Sequence, residues 1–281
     1  FYPTNKIRIP VDKNAVIANK VVSPKLYDSI VPYIDVDIKG QALYKNRLMM
    51  LDIVANNNWK RPIYFTGGSF GDDDYIWMKD FLQLDGMVYK LVPVRTSLEK
   101  AASPLDMGLI DSDKMYDIVM KWDWGNGESP NIYHDPETRK NSITYRTNLA
   151  RLMEQLINEG KTDKAKKVID LAIEKMPLEY YGFYTMLEPF AAGYYEVKET
   201  AKARKILSQL IVKYQENLKY YSNLKSSEQM DLYVDIITDI ERYRDLLLVM
   251  KERGDVEFYN SNKATFNTYN KMFERFKRDN E

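Results

Sequence analysis

The chain has 281 residues, 44% hydrophobic and 29% charged, with Lys+Arg and Asp+Glu balanced at 41 each. Such a chain buries a sizeable core and has room for two domains; its balance excludes disorder and any net field toward nucleic acid or an anionic membrane. It has no cysteine, hence no disulfide frame or thiolate metal site, and its longest aliphatic run, Leu246–Met250, is too short to insert into a membrane.

The first half alternates strand and helix signals. Lys6–Val11 and Val31–Lys39 show period-two alternation, with Ile34, Val36 and Ile38 on one face and Asp35 and Asp37 on the other. The two aspartates read as a polar outer face rather than as paired catalytic carboxylates. Ala42–Ala55 places apolar residues at helical spacing and ends at three asparagines. Pro62–Thr66 reads as a strand, Asp72–Leu84 as a helix and Val88–Val94 as a further strand. That order predicts a small α/β layer. Residues 96–142 hold a short helix at Met115–Lys121 and a turn-rich passage, Trp122–Gly127, which serve as the connection. Domain boundaries are accordingly expected at 1–142 and 143–281.

Beyond Ile143 the pattern is helical. Leu149, Leu152, Leu156, Ala165, Ile169, Ala172 and Pro177 fall on the spacing of a tetratricopeptide hairpin, with Gly160 at its turn. A looser copy, Leu187, Phe190, Tyr194, Ala203, Leu207 and Leu210, lacks the closing proline and implies a longer connection. Two long helices follow: one opened by a capping box at Ser226 and Gln229 and ended by Gly254, the other over Asn262–Arg278. The expected fold class is α+β, a small α/β domain followed by an all-α tetratricopeptide-like one.

Gly67-Gly68-Ser69-Phe70-Gly71 matches the G-x-S-x-G of a hydrolase nucleophile elbow, and the single His of the chain, His134, would complete a triad with Ser69. The chain turns into helical hairpins where such a hydrolase would add strands, so the segment reads better as a strand–turn–helix joint. Asp72, Asp73 and Asp74 would splay by about 100° each on a helix and suit its positive end better than one cation. His134, in Tyr133-His134-Asp135-Pro136, reads as a solvated turn residue. With no thiol, one imidazole and no phosphate-binding glycine loop, neither a metal nor another cofactor is expected. The 22 tyrosines leave one further candidate surface: Tyr180, Tyr181, Tyr184, Tyr194 and Tyr195, placed where helical repeats offer a concave groove to an extended peptide.

Three stretches carry a resemblance: Leu48-Met49-Met50-Leu51-Asp52-Ile53, Asn56-Asn57-Asn58-Trp59-Lys60-Arg61-Pro62-Ile63-Tyr64-Phe65, and Phe81 to Pro93. Over about residues 5–180 the chain resembles the soluble C-terminal region of a Bacteroidetes multi-pass membrane family of unknown function, grouped with protein O-mannosyltransferase-like glycosyltransferases. The resemblance implies a non-catalytic domain at the periplasmic face of the inner membrane. The catalytic acid of such enzymes lies in membrane loops, so no catalytic residue carries over to this chain. Its partners would be a protein or glycan acceptor, or its own upstream membrane domain. A chain that opens at Phe1 without a Met fits a piece of a longer protein. The alternatives are a free-standing tetratricopeptide scaffold, which would be cytoplasmic, and, more remotely, a serine hydrolase using Ser69 and His134.

Overall fold

The computed structural model describes residues 5–38, 43–66, 78–96 and 107–276. Two compact units emerge: Phe1–Gly125 with Thr147–Gln155, and Asn126–Arg146 with Leu156–Glu281. The fold is α+β, a small sheet-containing N-terminal region followed by a helical one.

In the first unit β1 (Lys6–Pro10) pairs antiparallel with β2 (Tyr33–Asp37), Arg8 opposite Asp35 and Ile9 opposite Ile34. The alternation does what it predicts: Ile9, Ile34 and Val36 are buried. On the outer face Arg8 grips Asp35 through two bonds of 2.7 and 2.9 Å and lies 3.7 Å over the Tyr33 ring. Between the strands lie α1 (Lys13–Ala18), capped by the Asp12 carboxylate, and a 3-10 turn at Pro24–Ser29.

Helix α2 (Lys45–Asn56) buries Leu51 and Val54. Its end is shaped by Asn58 and Trp59, both left-handed at φ 48° and 58°, and Asn57 donates to the Arg61 carbonyl at 2.7 Å. This bend sends the Trp59 ring onto a valine cluster of Val16, Val21, Val22, Val92 and Val94.

The second sheet has the order β3 (Tyr64–Thr66), β5 (Val88–Leu91), β4 (Leu82–Asp85), all antiparallel. The helix expected over Asp72–Leu84 is corrected here. Within the described residues, Lys79–Phe81 is one 3-10 turn and Leu82–Asp85 is a strand. Phe81-Leu82-Gln83-Leu84 is buried on both faces, and a short apolar run has no periodicity to separate helix from strand. Asp85 and Val88 close a two-residue hairpin over Gly86 and Met87. Gly86 has φ +73°, and a Cβ there would lie 2.9 Å from the Trp122 ring. The outer edge of β4 is covered by Leu109, whose backbone exchanges bonds with Leu82 and Leu84 at 2.9 and 2.8 Å.

Helix α3 (Ser112–Val119) completes this region with Met115 and Val119 buried. Helix α4 (Pro136–Asn158) contributes its middle, Thr147–Gln155, to the same unit. There Asn148 donates to the Gly86 carbonyl at 2.8 Å, and Arg151 donates to the carbonyls of Met107 and Gly108 at 2.9 and 2.8 Å.

The second unit runs through α5 (Thr162–Lys175), α6 (Leu178–Tyr181), a 3-10 turn at Tyr184–Leu187, α7 (Glu188–Glu196), α8 (Thr200–Ser222), α9 (Ser226–Asp231), α10 (Tyr233–Glu252) and α11 (Val256–Met272). All the leucine, isoleucine, alanine and aromatic positions of the two expected repeats are buried. Three helix-to-helix turns share one device. Gly160, Lys198 and Gly254 are left-handed, and the next amide donates to the carbonyl five residues back: Lys161 to Leu156, Glu199 to Tyr194, Asp255 to Met250, each at 2.8 Å. The expected capping box shifts by one residue, with the Lys225 amide donating to the Glu228 carboxylate at 2.8 Å. The last helix starts at Val256, not Asn262.

Tyrosines build much of this unit's core. Tyr184, Tyr214, Tyr243 and Phe266 form a ladder with centroid spacings of 5.3, 6.4 and 5.2 Å. Burial and a bond to Glu188 push the Tyr214 hydroxyl's pKa well above its ordinary value.

Candidate functional site

In the first unit, strand pairing sets Gln83 opposite Lys90, and both are buried. On central strand β5 Lys90 is 5% exposed, and its ammonium donates to the Val21 carbonyl at 2.5 Å. Burial, then the nearby charge of Lys114, pulls the Lys90 pKa down to about 8.

Asp85, at the end of β4, collects a set of donors. Gln83 Nε2 lies 2.6 Å from its carboxylate, Lys114 Nζ 3.1 Å and the Tyr64 hydroxyl 3.4 Å. Burial opposes the Lys114 charge, but Asp85 outweighs it and raises the Lys114 pKa. Burial and then Asp85 raise that of Tyr64. Asp111, the N-cap of α3, is also buried and pairs with Lys25 at 3.3 Å.

Gln83, Lys114, Asp111 and Lys25 border an open cavity of about 590 Å³, lined also by Lys20–Pro24, Tyr27 and the first two turns of α3. Gln83 is 1% exposed. Its Nε2 is committed to Asp85, whereas its Oε1 has no hydrogen-bond partner among the described residues. The Ser23 hydroxyl oxygen, on the wall of the same cavity, is likewise buried and without one. Native proteins leave few such atoms unsatisfied. A smaller cavity of about 140 Å³ lies against Asn57 and Trp59–Tyr64, with Lys90 on its wall.

None of these polar residues is singled out by the sequence pattern, which contains one usable signal. Gln83 and Lys90 stand inside apolar strand-like runs, where a polar side chain needs a partner or a purpose.

Ser69, and with it Asp72, Asp73 and Asp74, lies outside the described residues. His134 corrects its assignment as a solvated residue. It is 5% exposed, with Nε2 2.7 Å from the Gly127 carbonyl oxygen and the ring stacked on Tyr180 and edge-on to Tyr181. The cause is its neighbour: Asp135 caps α4 through the amides of Glu137 and Thr138, which holds His134 inward at the helix start.

The five tyrosines each have their own contact. Tyr180 stacks on His134, and Tyr181 donates to the Gly127 carbonyl at 3.2 Å. Tyr184 accepts from Asn217 at 2.9 Å. Tyr194 donates to Asp170 and Tyr195 to Asp255, both at 2.7 Å. Tyr181 and Tyr194 are buried; the other three are half-buried. Tyr194 also borders a cavity of about 340 Å³ between α5 and α8. Among the described residues no three His, Asp or Glu side chains gather as a metal-binding group, and no helix is long and apolar enough to cross a membrane.

No curated protein and no solved structure matches the chain. Residues 1–114, the stretch that supplies most of the 590 Å³ cavity's wall, match the protein-family model described as TMEM260-associated domain 2.

Proposed function

We propose that the chain is a non-catalytic accessory region of a TMEM260-like, membrane-bound glycosyltransferase-type protein, and that it holds the acceptor, protein or glycan, or a partner subunit. The supporting observation is the coincidence of the matched stretch with a cavity that carries two buried polar atoms unsatisfied among the described residues. A cavity of that kind is a binding feature in its own right. In this reading the chain works at the periplasmic face of the inner membrane, as the resemblance of Asn56–Phe65 implies. The helical unit acts as a tetratricopeptide-like arm, a role supported by its three turns of one type.

The test uses membranes carrying the complete gene product with and without this chain. Turnover of the lipid-linked sugar donor by hydrolysis, with water taking the sugar, should survive deletion while transfer to the acceptor is lost. Loss of donor turnover along with transfer overturns the reading. The arm is tested by capture of acceptor peptides with Tyr180→Ala and Tyr195→Phe, the half-buried candidates outside the core ladder; undiminished capture by both removes them from the binding surface.

A further inference from the structure

We infer that the 590 Å³ cavity of the first unit is a binding site for an uncharged, hydroxyl-rich ligand of one or two pyranose rings. The inference rests on the binding role proposed above and names the ligand class. Three features define it. The first is the need for a donor: Gln83 Oε1 can only accept, is buried, and has no partner among the described residues, so its ligand must bring an O–H or N–H. The second is the Ser23 hydroxyl, buried on the same wall, which can both donate and accept. A sugar hydroxyl answers both groups at once, because it too both donates and accepts.

The third feature is charge. The wall holds Lys20, Lys25 and Lys114 against Asp111, Asp113 and Asp117. Lys25 is paired with Asp111, and Lys114 with Asp85. The three lysines and three aspartates of the wall sum to zero, so a charged ligand would gain no net attraction and would still lose its hydration. Tyr27, Val21 and Val22 supply an apolar surface for the C–H face of a ring. The cavity volume lies within the usual range for small-molecule sites.

The experiment measures saturation transfer from the intact 281-residue chain to the methyl glycosides of glucose, galactose and mannose. Glucose 6-phosphate and glucuronate serve as charged comparators. Transfer to at least one neutral glycoside, weaker for the charged pair, is expected. Ser23→Ala removes a hydroxyl oxygen that has no partner among the described residues, so folding should be kept, while the affinity should fall about tenfold, the worth of one hydrogen bond. Gln83→Leu should abolish transfer. No transfer to any neutral glycoside, unchanged affinity in Ser23→Ala, or preference for a charged comparator overturns the inference. These outcomes do not depend on donor turnover in membranes, so the accessory role and the ligand class fail separately.

Discussion

Arg146 donates to the carbonyl oxygen of Gly182 at 2.6 Å, in a position where the guanidinium is wholly buried. It also donates to Met176 at 2.8 Å and Phe183 at 3.3 Å, so one side chain ties together the chain reversal that follows α5. Gly182 and Phe183 are both left-handed there, at φ 66° and 46°. Burial draws the Arg146 pKa down to about 10. Arg146→Met keeps the bulk but strands these carbonyls, and should cost the helical unit about 2–4 kcal/mol in urea unfolding. Arg146→Lys should recover little, because an ammonium cannot span three acceptors as a planar fork does.

Gly86 is the tightest backbone position of the first unit. Gly86→Ala meets both a positive φ and the Trp122 ring at 2.9 Å. A loss of about 2 kcal/mol is expected, read by the thermal midpoint together with Trp fluorescence.

Lys90 supplies a pH signature. Its folded pKa of about 8 lies below the ordinary 10.5. Between those values the unfolded chain holds a proton that the folded chain lacks, so this residue's contribution to stability rises with pH. Urea unfolding of wild type and Lys90→Met at pH 7 and pH 10 should show the difference moving in favour of wild type by about 1–2 kcal/mol. A constant difference would mean that Lys90 stays protonated throughout.

Asp255 has the same sign in an acidic window. Arg204 holds its carboxylate through bonds of 2.6 and 2.8 Å, burial works against the charge, and Tyr195 adds a third bond. The folded pKa is lowered from 3.8, so the stabilisation is full above that value and lost as the pH falls through the folded one. Asp255→Asn should cost about 1–2 kcal/mol at pH 7, less than a fully buried pair because Arg204 is partly solvated. The two proteins should converge in acid.

The three matching turns offer a gain as well as losses. Lys198 occupies a left-handed site that Gly160 and Gly254 fill without strain. Lys198→Gly should raise the thermal midpoint, by about 0.5–1 kcal/mol in stability, whereas Gly254→Ala should lower it by about 1 kcal/mol.

That same contrast shows what could be read from the sequence. Gly160 and Gly254 announce their turns by residue type. Lys198 does not, because its conformation is imposed by packing of the helices on either side. The β1–β2 alternation is legible because one face is dry and the other wet. β4, dry on both faces, is not. The start of α11 is hidden by Asn260, Ser261 and Asn262, residues that read as a break yet lie within a helix anchored by buried Phe266. The cavity is hidden for a different reason. Ser23, Gln83 and Asp111 are far apart in sequence, and only strand pairing and the Asp111 cap bring them to one wall.

Asn148 and Arg151 of α4 hold the carbonyls of Gly86, Met107 and Gly108, although they lie more than thirty residues beyond the matched stretch. This has a consequence during synthesis on the ribosome. The β4–β5 hairpin leaves the exit tunnel well before the piece of helix that satisfies it, so the first unit cannot finish folding until Gln155 has emerged. A nascent chain stalled at residue 125 would lack the donors that Asn148 and Arg151 bring to these three carbonyls. Chaperone demand on this protein should therefore peak between those two points of elongation.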